Sequence, residues 1–319
     1  MYIHELKDWP HFYWSQEKLS KLLATVRHQQ GRLIGHMEAL GFNLQQEAIL
    51  RTLTADVLKS SEIEGENLDA QQVRSSIAQR LGMDIGALKS ADRNVEGLVE
   101  MTLDATHHFT KPLTTERLFA WHASLFPTGR SGMTKIRTGS WRDDSSGPMQ
   151  VVSGPIGKER VHFEAPKASR LVGEMKRFLD WLEDNREIDL VLKAAVAHLW
   201  FVSIHPFDDG NGRIARAITD MVLARSENSS QRFYSMSTQI RQERNDYYEI
   251  LEHSQKGTMD ITPWMEWFVS CLGRAIEAAQ VILSNVLDKA HFWNKVKSVK
   301  LNDRQRLVIN RLLDGFEGK

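Results

Sequence analysis

One cysteine in 319 residues, Cys271 in "WFVSCLGRAI", rules out an intramolecular disulfide framework. A thiol among such apolar neighbours reads as buried and inert, and its isolation fits a reducing, cytoplasmic setting. Net charge is missing as well. The 41 Lys and Arg residues face 41 Asp and Glu, so no global field favours nucleic acid or an anionic membrane as partner. No apolar run is long enough to span a bilayer. The opening "MYIHELKDWPHFYW" carries acids where a secretory signal needs an apolar stretch. Internal repeats and low-complexity tracts are also lacking. What remains is an ordinary globular balance, 41% apolar and 26% charged, in a chain long enough for two or three domains.

Helical periodicity dominates what is there. In "RLVGEMKRFLDWLEDN", Leu171, Val172, Met175, Phe178, Leu179 and Leu182 trace one stripe. The stretch "LVLKAAVAHLWFVSI" (190–204) is apolar almost all round, which predicts a helix buried at the centre of a bundle and ending at His205. Within it, His198 reads as a satisfied core histidine. "FNLQQEAILRTLTADVLKSSEIEGENL" is helix-like to about Ile63, with Gly65 at the C-cap. Half of the eight prolines, with six glycines, fall between Pro127 and Pro166. There "VVSGPIGKERVHF" predicts a β-hairpin pairing Val151–Val152 with Val161–Phe163. Trp9, Phe12 and Trp14 read as a packing anchor. The last stretch offers Asn302 or Asp303 as an N-cap and an apolar face of Leu307, Val308, Leu312 and Leu313. That face needs the body of the protein or a further domain to cover it.

The chemistry is concentrated in "HPFDDGNGRIAR", residues 205–216. Glycines either side of Asn211 let backbone amides approach a ligand without Cβ interference. "RIARAITDMVLA" then reads as a helix, and a glycine turn opening a helix is an anion site. Arg213 and Arg216 share a face near that helix N-terminus, where cations are locally unfavourable unless a polyanion is expected. Guanidinium forks suit phosphate oxygens. Asp209 would sit beside those phosphates, the usual station of an Mg²⁺ carboxylate. His205 carries an imidazole, whose unperturbed pKa is near neutrality, and can take a proton from an attacking hydroxyl. Phe207 pins the loop to the core. No Gly-Lys-Ser/Thr follows, so this is not a Walker A loop. No second His or Cys has zinc-ligand spacing to His205.

The dozen resembles the signature of the Fic (Fido) family, His-x-Phe-x-Asp/Glu-Gly-Asn-Gly-Arg-x-x-Arg, at every defined position. "SSEIEG", Ser60–Gly65, is similar to the family's inhibitory motif, Ser/Thr-x-x-x-Glu-Gly/Asn. The resemblance implies a mainly α fold, a helical bundle with a β-hairpin flap beside the active site. It implies Mg²⁺-dependent transfer of AMP from ATP to a Ser, Thr or Tyr hydroxyl of a protein, the chain itself included, with release of pyrophosphate. His205, Asp209, Asn211 and Arg213 would be catalytic, with Asp209 on the metal. Glu64, His205, Gly210, Asn211, Gly212, Arg213, Ile214, Ala215, Arg216 and Tyr248 would line the nucleotide site. Ser60, Glu64 and Gly65 would inhibit, Glu64 pairing with Arg216. The flap residues Val151, Val152, Val161, His162 and Phe163 would dock the target as an added strand. The implied organisation is a helical domain over 1–105 and a catalytic core over 106–255. C-terminal helices over 256–319 would lead into an incomplete winged-helix domain. A nucleotide-sensing DNA-binding regulator, and an enzyme that removes AMP or transfers another phosphate-containing group, stay open as alternatives. A homodimer and a DNA contact through the C-terminal domain stay open too.

Overall fold

The computed structural model of the chain describes residues 1–85, 89–145, 147–155, 157–184, 188–296, 299 and 301–313. The side chains of residues 43, 285–291, 294, 303, 306, 307, 310 and 311 lie outside this description, Leu307 among them, as do residues 314–319. Among the described residues no helix is long and apolar enough to cross a membrane.

The centre is α7 (Leu190–Ile204), where every residue from Val191 to Ile204 is buried. Its apolar sequence on all sides has this consequence: neighbours must cover it in every direction. α8 (Asn211–Glu227) packs along it most extensively, α6 (Leu171–Glu183) and α11 (Thr262–Lys295) cover other sides, and Trp264 on α11 donates to the Ala195 carbonyl at 2.8 Å. His198 is satisfied within this core by Thr219 and Tyr247, each at 2.9 Å. Burial holds its imidazole at about 3, so it is neutral. On α6 the stripe is narrower than expected. Leu171, Met175, Phe178 and Leu182 are buried, whereas Val172 is 72% exposed because it lies one position off the inward face.

The N-terminal segment belongs to the same core. Ser15 caps α1 (Gln16–Glu38), which packs on α11, and Tyr13 exchanges backbone bonds with Met259 and Ile261. α2 (Phe42–Ile63) buries Ile49, Leu50, Leu53, Val57 and Ile63 against α9 (Met236–Gln242), α8 and α3 (Ala70–Arg80). A polar lock closes the same interface: Asp56 on α2 accepts from Ser235, and Asp220 on α8 pairs with Arg232 at 2.9 Å. Trp9 and Phe12 pack edge-on against Trp200, as an anchor should. α4 (Arg93–His107) and α5 (Thr115–Leu125) cross so closely that a Cβ on Gly97 would lie 1.7 Å from the Ser124 carbonyl oxygen.

The Pro- and Gly-rich stretch holds two hairpins. A short one pairs β1 (Arg130–Ser131) with β2 (Thr134–Lys135). The expected one pairs β3 (Gln150–Ser153) with β4 (Arg160–Glu164), setting Val151 against Phe163 and Val152 against Val161 around a bulge. α10 (Arg244–Gln255) lies against β4. Asn302 caps α12 (Asp303–Leu313), and Val308 and Leu312 on that helix are 49% and 59% exposed.

Candidate active site

The loop between α7 and α8 is built by its own residues. His205 ends α7 in the left-handed region (φ 51°), a conformation that costs a non-glycine residue energy and recurs at functional sites. Gly210 opens α8 with φ 80°, where only glycine is unstrained. Asn211, 2% exposed, clamps the loop by accepting from the Phe207 amide at 3.0 Å and donating to the Phe207 carbonyl at 2.8 Å. Phe207 itself is fully buried. The side chain of Asn211 therefore shapes the loop from within.

His205 is half-buried, and its Nδ1 lies 3.2 Å from the Val202 carbonyl. A carbonyl only accepts, so Nδ1 carries the proton and Nε2 keeps its lone pair. Burial lowers the imidazole to about 4 despite that bond, so it is neutral at pH 7. A base in this form accepts a proton without first losing one.

At the start of α8 the amides of Asn211, Gly212 and Arg213 precede the first intrahelical bond, which Ile214 makes to Gly210 at 3.0 Å. Arg213 and Arg216 are 4% and 3% exposed. Each keeps one buried N–H, Arg213 Nε and Arg216 Nη1, without a hydrogen-bond partner among the described residues. Unpaired guanidinium donors beside free helix amides suit a phosphate-bearing ligand. Ile214 and Ala215, between the two arginines, are fully buried.

The last turn of α2 and the residues after it cover the arginines. Arg216 donates to Ser60 Oγ and to the Ser60 carbonyl, each at 2.9 Å, and to Glu64 Oε1 at 2.7 Å. Burial alone would lower its pKa, but the Glu64 carboxylate more than offsets that and raises it. Glu64 lies over Gly212: a Cβ there would stand 2.2 Å from Oε1. Gly65, with φ 84°, turns the chain out of α2. Tyr248 borders the same region, 36% exposed, its hydroxyl 3.4 Å from the Ile63 carbonyl and its ring under Arg244.

Three participants escaped the sequence reading. Glu66 pairs with Arg213 at 2.7 Å. Ser131, on the short hairpin, donates to Asp209 Oδ2. Arg142, 3% exposed, joins His205 to the flap base by donating to the His205 carbonyl at 2.7 Å and the Pro166 carbonyl at 2.5 Å. All three lie far along the chain from residues 205–216, in stretches without periodicity.

Among the described residues no group of three or more His, Cys, Asp or Glu side chains could hold a metal ion. Asp209, its side chain 43% exposed, offers one hard oxygen ligand near Arg213 at the start of α8. That fits a magnesium ion whose other ligands are phosphate oxygens and water. In the flap, Val152 and Val161 are exposed, while Phe163 is buried edge-on to Tyr2 and His4. His162 bonds Ser153 at 2.5 Å and Glu252 at 2.6 Å, fastening β4 to α10.

Residues 2–83 match the family described as a domain of unknown function (DUF4172), and residues 112–223 match the Fic/DOC family. The chain is 36% identical over 115 residues to a protein adenylyltransferase Fic of Nematostella vectensis, covering 35% of this chain and 25% of that protein. To the protein of that name in Drosophila mojavensis it is 26% identical over 226 residues, 69% of this chain and 40% of the other. It thus spans between a quarter and two-fifths of these relatives. The solved structure of a Fic family protein from Desulfovibrio desulfuricans G20 superposes with a TM-score of 0.62 at 27% identity, covering 85% of this chain and 76% of that one. A Fic domain containing signaling protein from Bacteroides thetaiotaomicron shares the fold, with a TM-score of 0.59 at 20% identity, over 80% of this chain and 95% of the other. The helical bundle and the match over residues 112–223 agree: this chain carries a Fic/DOC family domain in a Fic-like helical fold.

Proposed function

We propose that the chain is a protein adenylyltransferase, moving AMP from ATP to a Ser, Thr or Tyr hydroxyl of a protein, and that Glu64 holds it in check. The observation that carries this reading is a neutral His205 with a free Nε2, four residues from Asp209 and one loop from a helix end with two buried guanidiniums. Relatives named protein adenylyltransferase support it.

Arg213, Arg216 and the first amides of α8 hold the triphosphate and fix the α-phosphorus. The flap aligns a target segment by main-chain bonds. The target hydroxyl gives its proton to His205 Nε2 as its oxygen attacks the α-phosphorus. The bond to the bridging oxygen of the β-phosphate breaks, and pyrophosphate leaves with that electron pair. Asp209 would hold Mg²⁺, which when bound neutralises phosphate charge. Positioning and charge stabilisation supply most of the rate, as in phosphoryl transfer generally. On this reading residues 1–105 carry the inhibitory segment, 106–255 the catalytic core and 256–319 the C-terminal helices.

ATP labelled at the α-phosphate tests it. The protein with Glu64→Gly should place label on itself or on a lysate protein and release pyrophosphate, and adding His205→Ala should abolish labelling while sparing ATP binding. ATP binding without any labelled protein would instead favour a nucleotide sensor.

A further inference from the structure

Glu64 accounts for one of the two guanidiniums. The other is also occupied. Arg213 lies over the Phe126 ring at 5.0 Å and donates from Nη1 to Glu66 Oε2 at 2.7 Å, while its Nη2 stays 3.9 Å from Asp209. Glu66 reaches it through a specific chain reversal. Ile63 ends α2, Glu64 is the cap, and Gly65 takes φ 84°. The Gly65 amide bonds the Glu62 carbonyl at 3.1 Å and the Glu66 amide bonds the Ser61 carbonyl at 3.0 Å, the two bonds of a Schellman cap. This cap sends carboxylates two residues apart toward α8. Both are ill-placed for their own helix, because acids at a C-terminus oppose its dipole. Both are well placed for α8, whose N-terminus and arginines attract anions.

We propose that Glu66 is a second inhibitory carboxylate, so that residues 60–66 occupy both arginines as the phosphates of a nucleotide would. This rests on the reading of Arg213 and Arg216 as phosphate ligands, and it extends it. Blocking Arg216 alone would turn a bound ATP into an unproductive pose. Occupying Arg213 as well makes the segment a competitor of polyphosphate, so nucleotide affinity itself is reduced in the resting protein. Glu66 is the weaker of the two locks, since its side chain is 46% exposed against 30% for Glu64.

Calorimetry on the full chain carrying His205→Ala, which prevents turnover, reads this directly with ATP and with adenosine as probes. Glu66→Gln should tighten ATP about three- to tenfold and leave adenosine unchanged. Glu66→Asp, which keeps the charge on a shorter arm, should give part of the gain. In an Arg213→Ala background Glu66→Gln should give none. An unchanged ATP affinity, an equal gain for adenosine, or a gain that survives without Arg213 would each overturn the proposal. If Arg213→Ala and Arg216→Ala leave ATP binding as it was, the phosphate-site reading itself fails, a result distinct from these.

Discussion

Removing Glu64 should make the protein faster and less stable in a single step. Arg216 has three hydrogen bonds to Ser60 and Glu64, and only the one to Glu64, at 2.7 Å, involves a charged acceptor. A charge-assisted hydrogen bond contributes roughly 1.5–3 kcal/mol net. Glu64 is 30% exposed, so water screens it and the lower half of that range applies. Glu64→Gly should therefore raise auto-modification by about ten- to fortyfold, since about 1.4 kcal/mol of barrier is a factor of ten. The guanidinium remains 3% exposed and loses its only charged partner among the described residues, so the melting temperature should fall by a few degrees. Glu64→Gln, which can still accept a hydrogen bond, should sit between in both respects. The labelled-ATP assay and a thermal melt, run side by side on each variant, check this. The reasoning is refuted if Glu64→Gly melts cooperatively yet labels no faster than the parent, or if its gain persists when Arg216→Ala is added.

The pH profile of transfer should be flat from pH 8 to about 5. His205 is held down to about 4, so the base is lost only as pH falls through that value, whereas a water-exposed imidazole would give a limb near 6.5. Asp209→Asn should weaken Mn²⁺ binding in the presence of ATP, read by electron paramagnetic resonance, while ATP binding without metal is spared; unchanged metal binding would remove Asp209 from that role. Gly97→Ala should lower the melting temperature markedly. Its Cβ would stand 1.7 Å from a backbone oxygen of α5, so two helices must part, at a cost of about 1–3 kcal/mol or more.

How much of this was legible depends on the range of the cause. α7 could be bounded from sequence because an almost wholly apolar run between Asp189 and His205 has one outcome in a folded core. The β3–β4 hairpin was legible in valines on either side of a Gly-Pro turn, but its register and bulge were not. Val172 was misassigned because a stripe drawn from composition cannot tell the inward face from its margin. Glu66, Ser131 and Arg142 carried no local pattern. Each matters only through a partner some 60 to 150 residues away, brought near by packing that no single stretch encodes. Gly97 looks like an ordinary weak spot in a helix until α5 is laid across it.

The burial of α2 limits how the active site can be set free. Ile49, Leu50, Leu53, Val57 and Ile63 are each at most 5% exposed. Returning five such side chains to water would cost roughly 7–15 kcal/mol at about 1.5–3 kcal/mol apiece. That is as much as separates many folded domains from their unfolded chains. A lid that swings away on such a hinge would take the fold with it. Under the proposed inhibition, activation must then be a small event: rotation of two glutamate side chains, or loosening of residues 64–66, while α2 stays seated. An activator on this design need only grip a few exposed atoms around Gly65, and a crystal of the active form should superpose on the resting one almost everywhere else.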